Sequence, residues 1–394
     1  MSGSPPPTPP AIPPDREGKS TFVHRALIFT GRLGRIAPIR LWPLWIALLF
    51  LNIWPWRAYP FAASVAAAGF LAADGLLLAL LPRRGRSWGP VTPPLLALAL
   101  VRLALTWLIA ALWPTPAGLG LLILAQLLLS AVAYYATWIE PFRVMITSQA
   151  LTLPGWHTSR PLRLLHISDI HFEGASPREA EMLARGRALR PDLIVITGDY
   201  LNLSSVYDPA TQAGIHALLA ELQAPLGVYA ITGSPPVDVP EIVPSIFADL
   251  HLHWLDDAAI RLTWEGQPLW LLGVRCTRDE QRDGAALARL LADVPPGEPT
   301  LLLYHTPDLM PEATAGGVTL YLAGHTHGGQ LRLPFYGALA TSSKWGKRYE
   351  MGRFSAGATT LYVSRGLGME GLGAPRARLL SPPELILWTL EGTS

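Results

Sequence analysis

Four long apolar runs follow one another in the first 140 residues, and they constrain the fold more than any other feature. They are Ile39 to Trp56, Phe61 to Leu81, Pro94 to Trp113 and Ala117 to Trp138. Each run is long enough to cross a hydrocarbon layer about 30 Å thick. Half of the 394 residues are hydrophobic and 15% are charged, which is unusual for a wholly soluble chain. We therefore predict a transmembrane domain of four helices at residues 37 to 139.

The basic residues around these runs predict their orientation. Residues 1 to 36 are polar and Pro-rich, which is typical of a disordered tail. Basic residues lie before or at the start of the first run and after the second, at Arg16, Lys19, Arg25, Arg32, Arg35, Arg40, Arg83, Arg84 and Arg86. The positive-inside rule then places both termini in the cytoplasm. We expect a multi-pass plasma-membrane protein with a cytoplasmic C-terminal domain. Because the first run is short and contains Pro43, three spans is the competing count, and it would place that domain outside.

Two charged residues lie inside the predicted spans, Asp74 in the second and Arg102 in the third. Both lie a third to half of the way in from the predicted cytoplasmic side, so they can pair and reduce the cost of burying each charge. We interpret this pair as structural, because a transport path would require further polar groups within the spans.

After Trp138 the pattern changes to short apolar runs that alternate with helix-like stretches, which predicts an α/β domain at residues 140 to 394. Four of these runs end in carboxylates or imidazoles. The segments are LRLLHISDIH with Asp169 and His171, DLIVITGD with Asp199, TLLLYHTPD with His305, and TLYLAGHTHGGQ with His325 and His327. Open α/β sheets place their sites at the carboxyl ends of strands. In an extended segment residues i and i+2 project to the same side, so Asp-x-His and His-x-His can each face one ion.

This set of side chains favours a site for two metal ions. Carboxylates combined with imidazoles suit Mn, Fe or Zn, and the single cysteine, Cys276, offers no thiolate cluster. Two ions about 3.5–4 Å apart, joined by a carboxylate, can bind a phosphate oxygen and generate a hydroxide between them. The net charge of +2 does not favour a nucleic-acid partner, and we expect none. A phosphoester substrate is the expected partner, together with the membrane.

The segments SDIH, ITGD, YHTPD and GHTHGGQ, in this order, resemble the calcineurin-like metallophosphoesterase family. The later segments GHTHGGQLRLP, LYVSRGLG and PPELILWTL are similar to its membrane-tethered YkuE-type branch. The resemblance covers residues 140 to 392 and implies an α/β/β/α sandwich that follows the transmembrane helices. It also implies a first metal site at Asp169, His171 and His327, a second at His305 and His325, and Asp199 as the bridge between them.

The family activity is the metal-dependent hydrolysis of phosphomonoesters, phosphodiesters or pyrophosphates. Some membrane-associated members cleave the pyrophosphate of UDP-diacylglucosamine, so the resemblance extends the expected substrates to lipid-linked phosphoesters. By this resemblance Asp199 and His325 are the candidate catalytic residues, and two divalent ions are the expected cofactors.

The stretch TGSPPVD, residues 232 to 238, departs from the family pattern. Members carry Gly-Asn-His there, in which the asparagine completes the second metal site and the histidine contacts the phosphate. Here Ser234 offers at best a weak, neutral oxygen ligand, and Pro235 has neither a titratable group nor an N–H. Loss of such a group typically costs about 10²- to 10⁴-fold in rate. His251, His253 and Asp238 are the candidates to replace it.

Three functions remain open from the sequence. The first is a membrane-anchored phosphoesterase with an atypical site, which we rank first because six candidate ligands are present. The second is a metal-binding pseudoenzyme or ligand sensor with little hydrolytic activity. The third is a transporter or receptor in which the helices carry the function, and the scarcity of polar groups in the spans argues against it. Arg365, and Arg376 or Arg378, are further candidates to face the site.

Overall fold

The computed structural model describes residues 29 to 392. These residues form two compact units, which we name the helical unit (residues 29 to 141 and 370 to 377) and the α/β unit (residues 142 to 369 and 378 to 392). Of the expected disordered tail, residues 1 to 28 lie outside the described part, whereas residues 29 to 34 are helical. The grouping of Glu370–Ala377 with the helical unit also differs from the single C-terminal domain that the sequence predicts.

Four helical segments of the helical unit are long and apolar enough to cross a bilayer, which agrees with the predicted multi-pass architecture. Proline occupies the first turn of each, where its missing N–H costs no hydrogen bond. Large apolar side chains such as Phe50, Leu108 and Leu128 are exposed on these helices, and we expect them to face lipid. The four segments are Pro38–Trp56, Pro60–Arg83, Thr92–Leu112 and Pro116–Phe142. They contain the helices α1 (Trp42–Ile53), α2 (Pro60–Arg83), α3 (Thr92–Leu112) and α4 (Pro116–Tyr134).

Asp74 and Arg102, the two charged residues within the spans, form a buried ion pair. Both Oδ atoms of Asp74 accept hydrogen bonds from Arg102, from Nε and Nη2, at 2.6 Å each. Arg102 also donates to Gln126 Oε1 at 2.8 Å and to Ser130 Oγ at 2.9 Å. Asp74 and Arg102 are only 1% and 4% exposed. Because the arginine donates to four side-chain acceptors in this network, we interpret the pair as structural.

The α/β unit contains two six-stranded sheets, in the orders β1-β14-β2-β3-β4-β5 and β12-β13-β9-β8-β7-β6. Strands β2, β3 and β4 are parallel neighbours in the first sheet, and β7, β8 and β9 are parallel neighbours in the second. The carboxyl ends of each set therefore lie at one edge of its sheet. The strands are β1 (Met145–Leu153), β2 (Leu162–Ile167), β3 (Leu193–Ile196), β4 (Val228–Ala230), β5 (His253–Trp254), β6 (Ala258–Trp264), β7 (Gln267–Gly273), β8 (Thr300–Leu303), β9 (Leu320–Ala323), β10 (Arg332–Leu333), β11 (Gly337–Ala338), β12 (Gly352–Ala356), β13 (Thr359–Val363) and β14 (Glu384–Gly392).

The two sheets pack face to face, and helices cover their outer faces. Alternation along each strand explains this, because Leu164 of β2 and Leu301 of β8 lie in the central core, whereas Leu165 and Leu302 belong to the two outer cores. The outer cores contain side chains of α5, α6 and α7 on the first sheet and of α8 and α9 on the second. This is the α/β/β/α sandwich that the resemblance implies. The helices are α5 (Pro177–Ala188), α6 (Pro209–Ala220), α7 (Val243–Phe247), α8 (Glu280–Ala292) and α9 (Met310–Ala315).

Candidate functional site

The segments that follow β2 and β9 bring together Asp169, His171 and His327, which lie far apart in the sequence. Each offers one ligand atom within 4.8 Å of the others. Nε2 of His171 lies 3.0 Å from Nε2 of His327, and the latter lies 3.6 Å from Oδ1 of Asp169. All three residues are at most 4% exposed. We name this group the first cluster.

A second cluster, Asp199, His305 and His325, forms at the ends of β3, β8 and β9 under the same 4.8 Å limit. Oδ2 of Asp199 lies 3.2 Å from Nε2 of His305. The backbone carbonyl of Thr197 holds the other ring nitrogen of that histidine at 2.8 Å. His325 is partly exposed, whereas Asp199 and His305 are buried. Solvent therefore reaches the second cluster on the His325 side.

Asp199 lies between the two clusters. The same Oδ2 atom that faces His305 lies 3.5 Å from Nε2 of His171 in the first cluster. Its other oxygen, Oδ1, accepts a hydrogen bond from the Ser234 backbone N–H at 2.6 Å. A carboxylate in this position has the geometry expected of a bridging ligand.

The backbone at these strand ends is strained. Asp169, His171, Asp199, His325 and His327 have φ values of 49°, 42°, 57°, 70° and 52°. Non-glycine residues rarely adopt positive φ, the conformation costs of order 1–3 kcal/mol, and such strain clusters at active sites and ligand-binding positions. Such strain persists only where the surrounding structure holds it, and two sheets and their hydrogen bonds do so here.

A chain of hydroxyl groups holds Asp169 in place. His166 pairs with Oγ1 of Thr197 at 2.8 Å, Thr197 donates to Ser168 Oγ at 2.7 Å, and Ser168 donates to Oδ2 of Asp169. Gly324 packs against the same carboxylate, and a Cβ atom there would overlap both Ser168 and Asp169. The absence of a side chain at Gly324 therefore allows the two strand ends to approach.

The imidazoles differ in their affinity for protons. Burial lowers the pKa of His325 to about 3, and the charges of His305 and Arg278 act in the same direction. Burial also lowers the pKa of His327 well below its usual value. Neutral imidazoles keep a lone pair for a cation. His305 differs, because the charge and hydrogen bond of Asp199 outweigh burial and raise its pKa to about 9.

The two carboxylates respond to burial in opposite ways. Burial raises the pKa of Asp169. Burial would also raise the pKa of Asp199, but the charge of His305, a hydrogen bond from it, and the charge of His171 hold that pKa far below its usual value. Asp199 is therefore an anion that faces imidazoles of both clusters.

These residues fit a pair of divalent cations. Two carboxylates and four imidazoles converge, and the buried Nδ1 of His171 has no hydrogen-bond partner in the described structure. Oxygen and nitrogen donors of this kind suit Mn, Fe or Zn. The structure thus brings together all six predicted ligands, and their role in holding metal, like the catalytic role of Asp199 and His325, stays a prediction.

The stretch TGSPPVD lies at the second cluster. Oγ of Ser234 is buried, 3.2 Å from Nε2 of His305, 3.3 Å from Nδ1 of His325 and 3.4 Å from Oδ2 of Asp199. This places a hydroxyl oxygen among three candidate ligands of the second cluster, as the weak-ligand prediction requires. Pro235 is partly exposed beside it.

The sequence candidates for replacing the missing histidine lie elsewhere or have another task. His253 stacks on Tyr229 in the adjacent strand, with ring centroids 4.8 Å apart, and His251 is exposed near β5. Asp238 accepts backbone hydrogen bonds from Gly233 at 2.6 Å, Asp199 at 2.8 Å and Tyr200 at 2.9 Å. Asp238 therefore supports the backbone of the site.

Two arginines near the site have different surroundings. Arg378 is fully buried and donates toward Nδ1 of His327 at 3.3 Å, while its other hydrogen bonds go to backbone carbonyls. Arg365 pairs with Glu384 at 2.6 Å. Sequence reasoning named both, but it missed Arg278, whose charge affects His325. The signal was available, because Arg278 follows β7, the parallel neighbour of β8.

Comparison with known proteins agrees with this geometry. The family model described as calcineurin-like phosphoesterase matches residues 162–234. The metallophosphoesterase YkuE of Bacillus subtilis is 30% identical over 280 residues, which cover 66% of this chain and 90% of YkuE. The phosphodiesterase YaeI of Escherichia coli is 25% identical, with 55% of this chain and 83% of YaeI covered.

A third relative is the UDP-2,3-diacylglucosamine pyrophosphatase LpxG of Chlamydia trachomatis. It is 25% identical over 306 residues, which cover 64% of this chain and 91% of LpxG. The similarity to YkuE, at 30% identity, extends over 90% of that relative. The chain therefore belongs to the calcineurin-like metallophosphoesterase family.

Proposed function

We propose that this protein is a membrane-anchored, metal-dependent phosphoesterase that hydrolyses a phosphodiester or a pyrophosphate. The observation that carries the proposal is the position of Asp199, whose Oδ2 faces His171 of the first cluster and His305 of the second. Divalent cations held by the two clusters would polarise a phosphoryl oxygen and lower the pKa of water.

The residues of the chain have distinct tasks in this proposal. Asp169, His171 and His327 would hold one cation, His305 and His325 would hold the other with Ser234 as a weak additional ligand, and Asp199 would serve both. The buried first cluster excludes water from one side of the site, while the partly exposed His325 faces the side open to a substrate. His325 is thus also the ligand nearest to the substrate.

The membrane helices and the relatives support a lipid-linked substrate. Four segments can cross a bilayer, and the LpxG relative is named for a pyrophosphatase activity on UDP-2,3-diacylglucosamine. We propose that the substrate of this protein is a phosphoester at the cytoplasmic face of the plasma membrane, in keeping with the orientation that the arginines predict.

The test uses the full-length protein in detergent. Metal analysis should find close to two divalent ions per chain, and bis-p-nitrophenyl phosphate should be hydrolysed in their presence. Asp199→Asn should abolish turnover, because an amide cannot serve as an anionic bridge. Glu241→Gln, an exposed carboxylate in the same unit, is the matched control and should leave the rate unchanged.

Ser234 and Pro235 decide between an enzyme and a pseudoenzyme. Bound metal without turnover of bis-p-nitrophenyl phosphate or of a pyrophosphate would support a metal-binding pseudoenzyme. The double variant Ser234→Asn, Pro235→His restores the family pattern. A large gain in rate would show that the native stretch impairs catalysis, whereas a loss would show a site adapted to serine and proline.

A further inference from the structure

Arg278 lies in the loop between β7 and α8. Strands β7, β8 and β9 are parallel neighbours, so this loop leaves the sheet at the edge where His305 and His325 follow β8 and β9. Val274, at the start of the loop, extends the pairing with β8 through a 3.1 Å hydrogen bond to Leu303. The loop thus begins beside the segment that carries His305.

The loop is held in one conformation on both sides of Arg278. Thr277 donates to both oxygens of the buried Asp283, from N at 2.9 Å and from Oγ1. Asp279 caps α8 by accepting a hydrogen bond from the Arg282 N–H at 3.1 Å. Between these anchors Arg278 has a φ of 66°, a left-handed conformation that favours glycine and that few non-glycine residues adopt.

The side chain of Arg278 is an exposed cation that forms no ion pair or hydrogen bond with any residue from 29 to 392. Arg275, three residues earlier in the same loop, differs because it forms an ion pair with Asp256. The loop that carries Arg278 follows β7 at the same edge of the sheet where the segments with His305 and His325 follow β8 and β9, so this cation belongs to the edge that carries the second cluster.

The residues on the open side of the second cluster offer few donors to an anionic substrate. That side is formed in part by His325 and Pro235, and proline offers no donor to an anion. Guanidinium groups bind phosphoryl oxygens in a planar, charge-assisted geometry. We propose that Arg278 binds a non-bridging oxygen of the substrate phosphoryl group at the Asp199–His305–His325 cluster, a task that neither proline of TGSPPVD can perform. This inference rests on the proposed phosphoesterase function.

Arg278→Gly in the full-length protein is the sharpest test, because the left-handed φ suits glycine and the change removes the cation without adding strain. Loss of a charge-assisted hydrogen bond should lower kcat/KM for bis-p-nitrophenyl phosphate by about 10- to 100-fold. Inhibition by inorganic phosphate should weaken by a similar factor. Millimolar guanidinium should restore part of the rate, which a purely structural residue would not allow. Metal content should stay at the wild-type value.

Arg289→Ala is the matched control, because Arg289 is an exposed arginine on α8 away from the strand ends. The proposal is overturned if Arg278→Gly matches this control, within about twofold, in both kcat/KM and phosphate inhibition. A wild-type protein that binds metal without turnover would refute the phosphoesterase function instead. In that case calorimetry with inorganic phosphate decides the role of Arg278: weaker binding to Arg278→Gly supports it, and equal binding refutes it.

Discussion

Asp238 is the residue of TGSPPVD whose removal should harm the fold most. Its carboxyl group accepts three backbone hydrogen bonds, from Gly233, Asp199 and Tyr200, and it is only 4% exposed. Burial, with the Asp199 charge acting in the same direction, raises the pKa of Asp238 to about 7. The hydrogen bonds from these N–H groups oppose that rise in pKa. Because Asp199 and Tyr200 follow β3 and Gly233 follows β4, Asp238 joins the ends of these two strands at the second cluster.

The variant Asp238→Ala would leave three buried N–H groups without an acceptor. Each such group costs about 1–3 kcal/mol of folding free energy. Because the loop can relax in part, we expect a total loss of about 4 kcal/mol, which lies in the lower half of the summed cost. At about 2–4 °C per kcal/mol, the Tm of the α/β unit should fall by about 8–16 °C. Asp238→Asn keeps one acceptor oxygen and should lose about half as much.

The assay heats the full-length protein in detergent and follows trypsin cleavage of the α/β unit by mass spectrometry. Glu241→Ala, which removes an exposed carboxylate nearby, is the control and should change stability by about 0.5 kcal/mol or less. An Asp238→Ala variant that melts within about 2 °C of this control would refute the assignment of a structural role to the three hydrogen bonds.

Three further outcomes follow from the geometry. Gly324→Ala places a Cβ against Asp169, so metal content and turnover should both fall, which elemental analysis and a bis-p-nitrophenyl phosphate assay measure. Asp74→Ala leaves the buried charge of Arg102 without its carboxylate and should destabilise the helical unit by about 3–5 kcal/mol, seen as a lower Tm in nanodiscs. The pKa of His305 is raised to about 9, and a metal ion binds only the neutral ring. Metal affinity should therefore decrease as the pH falls below about 9, by about tenfold per pH unit where His305 alone titrates. An affinity that is constant from pH 6 to pH 9 by isothermal titration would contradict this coupling.

Local sequence patterns predicted much of this protein. Runs of apolar residues long enough for a bilayer predicted the helical unit, because hydrocarbon thickness sets the length of a span. Aspartate and histidine at i and i+2 after short apolar runs predicted the ligands, because period-two geometry and the carboxyl ends of parallel strands bring such side chains together. Asp74 and Arg102 form the ion pair that we predicted, because an unpaired charge is costly within an apolar span.

Other features depend on contacts between segments that are distant in the chain. Nothing local to Asp199 shows that its Oδ2 faces histidines from β2 and β8 segments, or that Asp238 supports its backbone. The residue types also do not predict the positive φ of five of the six candidate ligands. This strained conformation persists only in the folded protein, because an isolated chain would relax to a lower-energy conformation. TGSPPVD in sequence lacks an asparagine and a histidine. In the folded protein it contributes a serine oxygen to the second cluster and a carboxylate that holds the loops, because the face-to-face packing of the two sheets brings the carboxyl ends of their parallel strands together.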